Sequence, residues 1–185
     1  MKFISAGHCA DRKSPNFDSG AEGINKRLEC DETIKVRDRV IAIIKEKGYT
    51  DIIQDANNES LKEYLNRAKT GNGSMVCEFH FNAFNFKTSG TEVLVADNPS
   101  INSSNCAKEM ADVTASILGI PNRGVKTEAE SHRGKLGLMR EMGIVVLVEV
   151  CFIDSATDMA AYDTHFEALC QAYADILIKY DNLIK

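Results

Sequence analysis

Apolar and polar residues fall along this chain as short alternating runs separated by longer helical stripes. Near the start, "KFISA" is a short, mostly apolar run stopped by Gly7 and reads as a buried strand. The polar stretch "DRKSPNFDSGAEG", with a proline and two glycines, reads as a long loop. From about Arg27 to Lys47 the apolar residues Val36, Val40, Ile43 and Ile44 recur at helical spacing, and Gly48 supplies the stop. "DIIQ" predicts a second short strand, Glu59 to Thr70 a second helix and "GNG" a turn.

The stretch "MVCEFHFNAF", from Met75 to Phe84, alternates: Met75, Cys77, Phe79 and Phe81 are apolar, while Glu78, His80 and Asn82 share the opposite side of a strand. "TEVLVA" predicts another strand, and a helix follows from about Ser103 to Leu118, ending before "GIPNRG". A polar loop through Ser131 leads to "LGLMR". The longest apolar run, "IVVLVEVCFI", then fits a strand buried on both faces. Residues from about Ala156 to Tyr180 close the chain in helix. Strands alternating with helices predict an α/β fold: a single twisted, largely parallel or mixed sheet of about six strands flanked by helices. In open sheets of that kind, ligands gather at the carboxyl ends of the strands.

Composition narrows the partners more than the fold. At 185 residues and 44% apolar, the chain suits one core and hence a single domain over 1–185. Its 22 basic and 27 acidic residues leave a formal charge of −5 with no basic cluster, which argues against nucleic acid. The N-terminal apolar run is shorter than the roughly 7–15 residues of a signal-peptide core, and nothing approaches the ~20 apolar residues of a membrane span, so neither export by a signal nor membrane insertion is expected. The six cysteines lack any C-x-x-C pair and several lie in apolar segments, which favours buried thiols over disulfides or a zinc knuckle.

Four ionisable residues stand where a site belongs. His8 follows the first strand directly after Gly7 and would emerge at that strand's carboxyl end, although a lone loop histidine also suits an ordinary surface position. At about 100° per residue, Glu29 falls within roughly 20° of Val36 and Val40, at the centre of the apolar helix face, with Glu32 about 60° to one side. A carboxylate aimed at the core needs a cation, a metal or strong donors; the alternative is a first turn that protrudes and leaves Glu29 solvated at the helix N-terminus. His80 lies nearer the carboxyl end of its strand than Glu78 does. Glu149 interrupts an otherwise unbroken apolar run, and burial would push its pKa upward, as suits a proton-transfer group; a buried ion pair with Arg140 or another cation is the alternative.

Two histidines and a glutamate make a three-donor N/O set of the kind a catalytic zinc takes when a fourth position stays open for water. A separate carboxylate then accepts the proton of that water. H-E-x-x-H, Walker A and G-x-S-x-G motifs are all absent, which removes the common metalloprotease, P-loop and hydrolase-elbow readings.

With these residues in hand, the chain resembles the zinc-dependent N-acetylmuramoyl-L-alanine amidases of the Amidase_3 family, including phage endolysin catalytic domains. The matching elements run in order from Gly7-His8 through Gly20-Ala21, Glu29, "FHFNA", "SGTEVLV", "NRGVK" and "LGLMR" to "VLVEVCFID". The resemblance implies one zinc per chain held by His8, Glu29 and His80, with Glu149 as the catalytic carboxylate; Asn82 and Arg140 are read as substrate contacts, with a strand-end turn residue and the ion-pair partner of Glu149 as the respective alternatives. It implies hydrolysis of the amide between N-acetylmuramic acid and the first L-alanine of the peptidoglycan stem by a monomer.

This chain departs from the family pattern in two places. Cys9 and a longer loop follow His8, and Cys9 is a further candidate for the metal. Glu78-Phe79 replaces the usual Ser-Ile, which puts an extra carboxylate near His80 in a place to orient an imidazole. No separate wall-binding module is expected within these residues, which suit either an isolated catalytic domain or a compact whole protein. Without a signal, a phage or prophage lysin released through another protein's membrane pore is expected, with Asp11 to Gly23 and Thr127 to Lys135 shaping the groove. The rival readings are a zinc peptidase that cuts inside the stem peptide and a non-catalytic peptidoglycan-binding module on the same fold.

Overall fold

The computed structural model describes residues 1–8, 11–131 and 134–184. Six strands form one sheet in the order β2-β1-β3-β6-β4-β5: β1 Lys2–Ala6, β2 Ile52–Gln54, β3 Met75–Asn82, β4 Thr91–Val95, β5 Asn122–Thr127 and β6 Ile144–Phe152. All neighbouring pairs are parallel except β4 with β6, so the sheet is mixed, as the alternating pattern predicts. The carboxyl ends of β1, β3 and β6 therefore lie together along one edge.

Four helices flank the sheet: α1 Glu29–Glu46, α2 Leu61–Ala68 and α3 Ile101–Leu118 between strands, and α4 Ala156–Leu183 after the last strand. Their ends carry the expected chemistry. Ser60 and Glu63 form a reciprocal capping box at the start of α2, Ser100 and Ser155 cap α3 and α4, and Gly119 closes α3 at φ +64°. The predicted helix from Arg27 begins two residues later, because Leu28 is still extended and bridges Glu22.

The strand period of two sorts the core into two layers. Met75, Cys77, Phe79 and Phe81 of β3, with Val146, Val148 and Val150 of β6, pack against α1, α3 and α4. Val76, Val145 and Leu147 face the other way, against Tyr64 of α2 and Leu138 of the 3-10 turn Gly137–Arg140. The second layer is the smaller, and Glu78, His80 and Glu149 lie on that face by alternation. All nine residues of β6 are buried, as a strand covered on both sides requires. Cys30, Cys77, Cys106, Cys151 and Cys170 are buried free thiols, as read from the sequence; Cys9 lies outside the described residues.

Candidate metal centre and active site

Three chain segments converge at the carboxyl edge of β1 and β3. Thr33 of α1 donates to the Gly7 carbonyl at 2.8 Å, which ties the first turns of the helix to the end of β1. His8 follows in the left-handed region at φ +69°, so the chain turns sharply out of the strand. Glu29, the first residue of α1, is buried at 4% exposure and reaches the same point. The sequence alternative of a solvated first turn is thereby set aside.

Glu29 bridges the two histidines. Its Oε2 is 3.1 Å from His8 Nε2 and its Oε1 is 2.9 Å from His80 Nδ1. The backbone N–H groups of Ala21 and Phe81 donate to those oxygens at 2.9 and 3.0 Å, which fixes the carboxylate in place. One donor atom from each of His8, Glu29 and His80 falls within a 4.8 Å span, the condition for a shared metal ion. Two glycines make the convergence possible. A Cβ on Gly7 would lie 2.3 Å from the His80 ring, and one on Gly20 would lie 2.6 Å from both Glu29 and His8.

The same crowding sets the electrostatics. Burial disfavours a charged His80, but hydrogen bonds and charge from Glu29 and Glu78 outweigh it and raise the pKa to about 10. Burial likewise opposes a charged His8, and Glu29 and Asp18 overcome it, so that pKa is also raised. Burial would lift Glu29, yet its hydrogen bonds to the two imidazoles hold it far below the usual carboxylate range. Without a metal, then, the three groups form a compact ionic cluster. A divalent cation held there would take the place of the imidazole protons, and two imidazoles with one carboxylate are a donor set that fits zinc.

Glu149 is the register partner of His80 across the parallel β3–β6 pair, and it is fully buried. The sheet thus brings all four sequence-predicted residues to one place. Asn82 ends β3 beyond a register shift, and its side-chain N–H donates to Glu92 at 3.0 Å. Arg140 does not pair with Glu149: it is exposed at the end of its 3-10 turn and bonds no described residue.

Sequence reasoning missed Glu92. It faces Glu149 from β4, on the flank opposite His80, and is held by Arg123 at 2.9 Å. The signal was present in the alternation of "TEVLV", where Glu92 shares a face with Leu94. Glu32 was also passed over. It is buried at 2% beside Glu29 but is answered by Arg27 and Lys35 away from the histidines. A cavity of about 240 Å³ opens beside the histidines, lined in part by Tyr64, Asp55, Glu78 and Leu61.

Residues 3–179 match the Amidase_3 family model, described as N-acetylmuramoyl-L-alanine amidase. The chain is 30% identical over 160 residues to the N-acetylmuramoyl-L-alanine amidase LytC of Bacillus subtilis (strain 168), a stretch covering 84% of this chain and 30% of that protein. Among solved structures, the amidase AmiC2 of Nostoc punctiforme superposes with a TM-score of 0.76 at 20% identity, covering 97% of this chain and 96% of that one. The catalytic domain of CwlV, an amidase from Bacillus (Paenibacillus) polymyxa var. colistinus, gives 0.75 at 22% identity over 100% of both chains.

Proposed function

Because the chain belongs to the Amidase_3 family of N-acetylmuramoyl-L-alanine amidases, we propose that it hydrolyses the amide joining N-acetylmuramic acid to L-alanine in peptidoglycan, with His8, Glu29 and His80 holding one zinc ion and Glu149 moving the proton. The observation that carries this reading is the convergence of His8, Glu29 and His80 within 4.8 Å, with Glu149 in register beside His80.

A zinc ion held there would supply Lewis acidity, polarising the scissile carbonyl and making water a stronger acid at neutral pH. The chain's own residues do the rest. Glu149, buried on a central strand, accepts a proton from the attacking water as its oxygen bonds to the lactyl carbonyl carbon. It then delivers that proton to the alanine nitrogen as the C–N bond breaks. Arg140, exposed and unengaged with any described residue, is available to an anionic part of the substrate. Asn82 presents its amide at the strand end, oriented by Glu92.

The chain spans 30% of the length of LytC, so activity on intact walls, action as a released lysin and the monomeric state are all part of this proposal. Among the described residues no helix is long and apolar enough to cross a membrane.

The test is bound zinc and hydrolysis of purified peptidoglycan by the unmodified protein and Glu149→Gln. About one zinc in both, with new L-alanine amines released by the unmodified protein alone, supports the reading. Internal stem-peptide amines would mark a peptidase instead, and a variant as active as its parent would remove Glu149 from the chemistry.

A further inference from the structure

Each imidazole of the cluster turns one nitrogen to Glu29 and the other to a second carboxylate. For His8, Nε2 faces Glu29 and Nδ1 lies 2.8 Å from Asp18. For His80 the two nitrogens are exchanged: Nδ1 faces Glu29 and Nε2 lies 3.2 Å from Glu78 Oε1. Resting on the metal-centre reading above, we infer that Glu78 is a positioning residue that commits His80 to bind the metal through Nδ1, so that the two histidines meet the ion through different ring nitrogens.

A neutral imidazole has one N–H and one lone pair; with Glu29 turned to the cation, the nitrogen that still has an acceptor would keep the proton. Glu78 is that acceptor for Nε2, and a second hydrogen bond holds it in place. It is 3% exposed, and its other oxygen accepts from the Ser5 hydroxyl at 2.9 Å. Ser5 is its register partner on β1, so the hydrogen bond that aims the carboxylate is set by the strand pairing itself. Glu78 and His80 are two residues apart on one strand and project to one face, a spacing of roughly 6.5 Å that a glutamate side chain spans.

The contact also survives a change of state. Without a metal, a protonated His80 donates to Glu29 from Nδ1 and to Glu78 from Nε2. With a cation on Nδ1, the proton would stay on Nε2 and keep its hydrogen bond to Glu78. The carboxylate therefore keeps its partner in both states, and it would strengthen the imidazole as a donor. A purely structural ion pair would be indifferent to which nitrogen keeps the proton.

The experiment compares Glu78→Ala, Glu78→Gln and His80→Ala with the parent in the full chain. Zinc affinity is read by competition with a chromophoric chelator, folding by circular dichroism, and the His80 tautomer of the zinc-loaded protein by nitrogen-15 NMR. Glu78→Ala is expected to bind zinc about 10- to 100-fold more weakly and to lose the single Nε2–H form. Glu78→Gln keeps an acceptor oxygen without the charge, and should recover the tautomer and part of the affinity. A folded Glu78→Ala protein with affinity within about twofold of the parent and an unchanged tautomer overturns the inference, provided His80→Ala does lose zinc. If His80→Ala also binds like the parent, the metal centre itself is wrong.

Discussion

His80 and Glu149 are register partners on adjacent parallel strands, and both project from the face of the sheet that carries the smaller core layer. The distance between the proposed metal ligand and the proposed base is thus set by β-sheet pairing, with strands about 4.8 Å apart. Neither can shift without breaking backbone hydrogen bonds in the centre of the sheet.

That rigidity makes the length of the Glu149 side chain matter. Glu149→Asp keeps the charge and withdraws the carboxylate by one methylene. Because displacement of a reacting group by about 1 Å can cost roughly 10²-fold, turnover should fall by at least that factor while zinc binding stays within a few-fold. Steady-state kinetics on a soluble muramyl-peptide, with zinc content measured on the same sample, checks this. Turnover within about fivefold of the parent would mean that the carboxylate does not hold the attacking water.

Gly7→Ala should damage the metal centre without touching a ligand. The added Cβ would lie 2.3 to 2.6 Å from three atoms of the His80 ring, so the ring has to swing out of the cluster. Zinc affinity should drop by about tenfold or more, in line with loss of a ligand-orienting contact, while the circular dichroism spectrum is retained. Crystals of the variant would show the displaced imidazole directly; an undisturbed ring with normal affinity would contradict the packing argument.

Zinc uptake should release protons. Glu29 and Glu78 raise the pKa of His80 to about 10 in the metal-free protein, so the ring is protonated at neutral pH and a cation taking Nδ1 displaces that proton. Affinity should therefore rise between pH 6 and 8, by up to about tenfold per pH unit for each proton displaced. Titration calorimetry in buffers of different ionisation heat should find about one proton or more released per ion at pH 7.

The stability of the metal-free protein follows the same pair with opposite signs. A raised His80 pKa stabilises the fold fully below the unfolded value near about 6.5 and loses that contribution as pH rises through about 10. The lowered Glu29 pKa contributes above an unfolded value of about 4.3 and is lost in acid. Urea midpoints of the chelator-treated protein should peak between these limits.

Much of the site was legible because its residues break a local pattern. Glu149 interrupts an apolar strand, Glu29 sits in the middle of a helical stripe, and Glu78 and His80 share the polar side of an alternating run. What escaped lacked such a contrast. The strand β5, "NRGVKT", is exposed or half-buried throughout, pairs only with β4 and carries Gly124 at φ +83°, so its sequence reads as loop. Asp18 meets His8 from ten positions further along the chain, in a stretch with no periodicity to read. Glu32 lies off the apolar stripe, yet it is buried because Arg27, itself anchored by Asp163 of α4, covers it. Such pairings depend on where distant elements dock and leave no trace in the local sequence.

The last such pairing gives a stability prediction far from the site. Lys2 Nζ and Asp181 Oδ2 are 2.8 Å apart with both side chains at 0% exposure, and the ammonium also lies 4.8 Å from the centre of the Tyr49 ring. The pair locks the first strand to the last turn of α4. Taking two charges out of water is costly, but removing one partner is worse, because the other is left buried and uncompensated. Asp181→Ala should therefore cost about 3–5 kcal/mol, read as a lower urea midpoint at unchanged slope. Replacing both residues, as Lys2→Met with Asp181→Leu, should recover most of that loss, since well-packed apolar groups of similar volume often match a buried ion pair. Zinc affinity should stay at the parent value in both proteins. An Asp181→Ala cost below about 1 kcal/mol, the range of exposed ion pairs, would show that water reaches Lys2 and that the pair does not hold the strand to the helix.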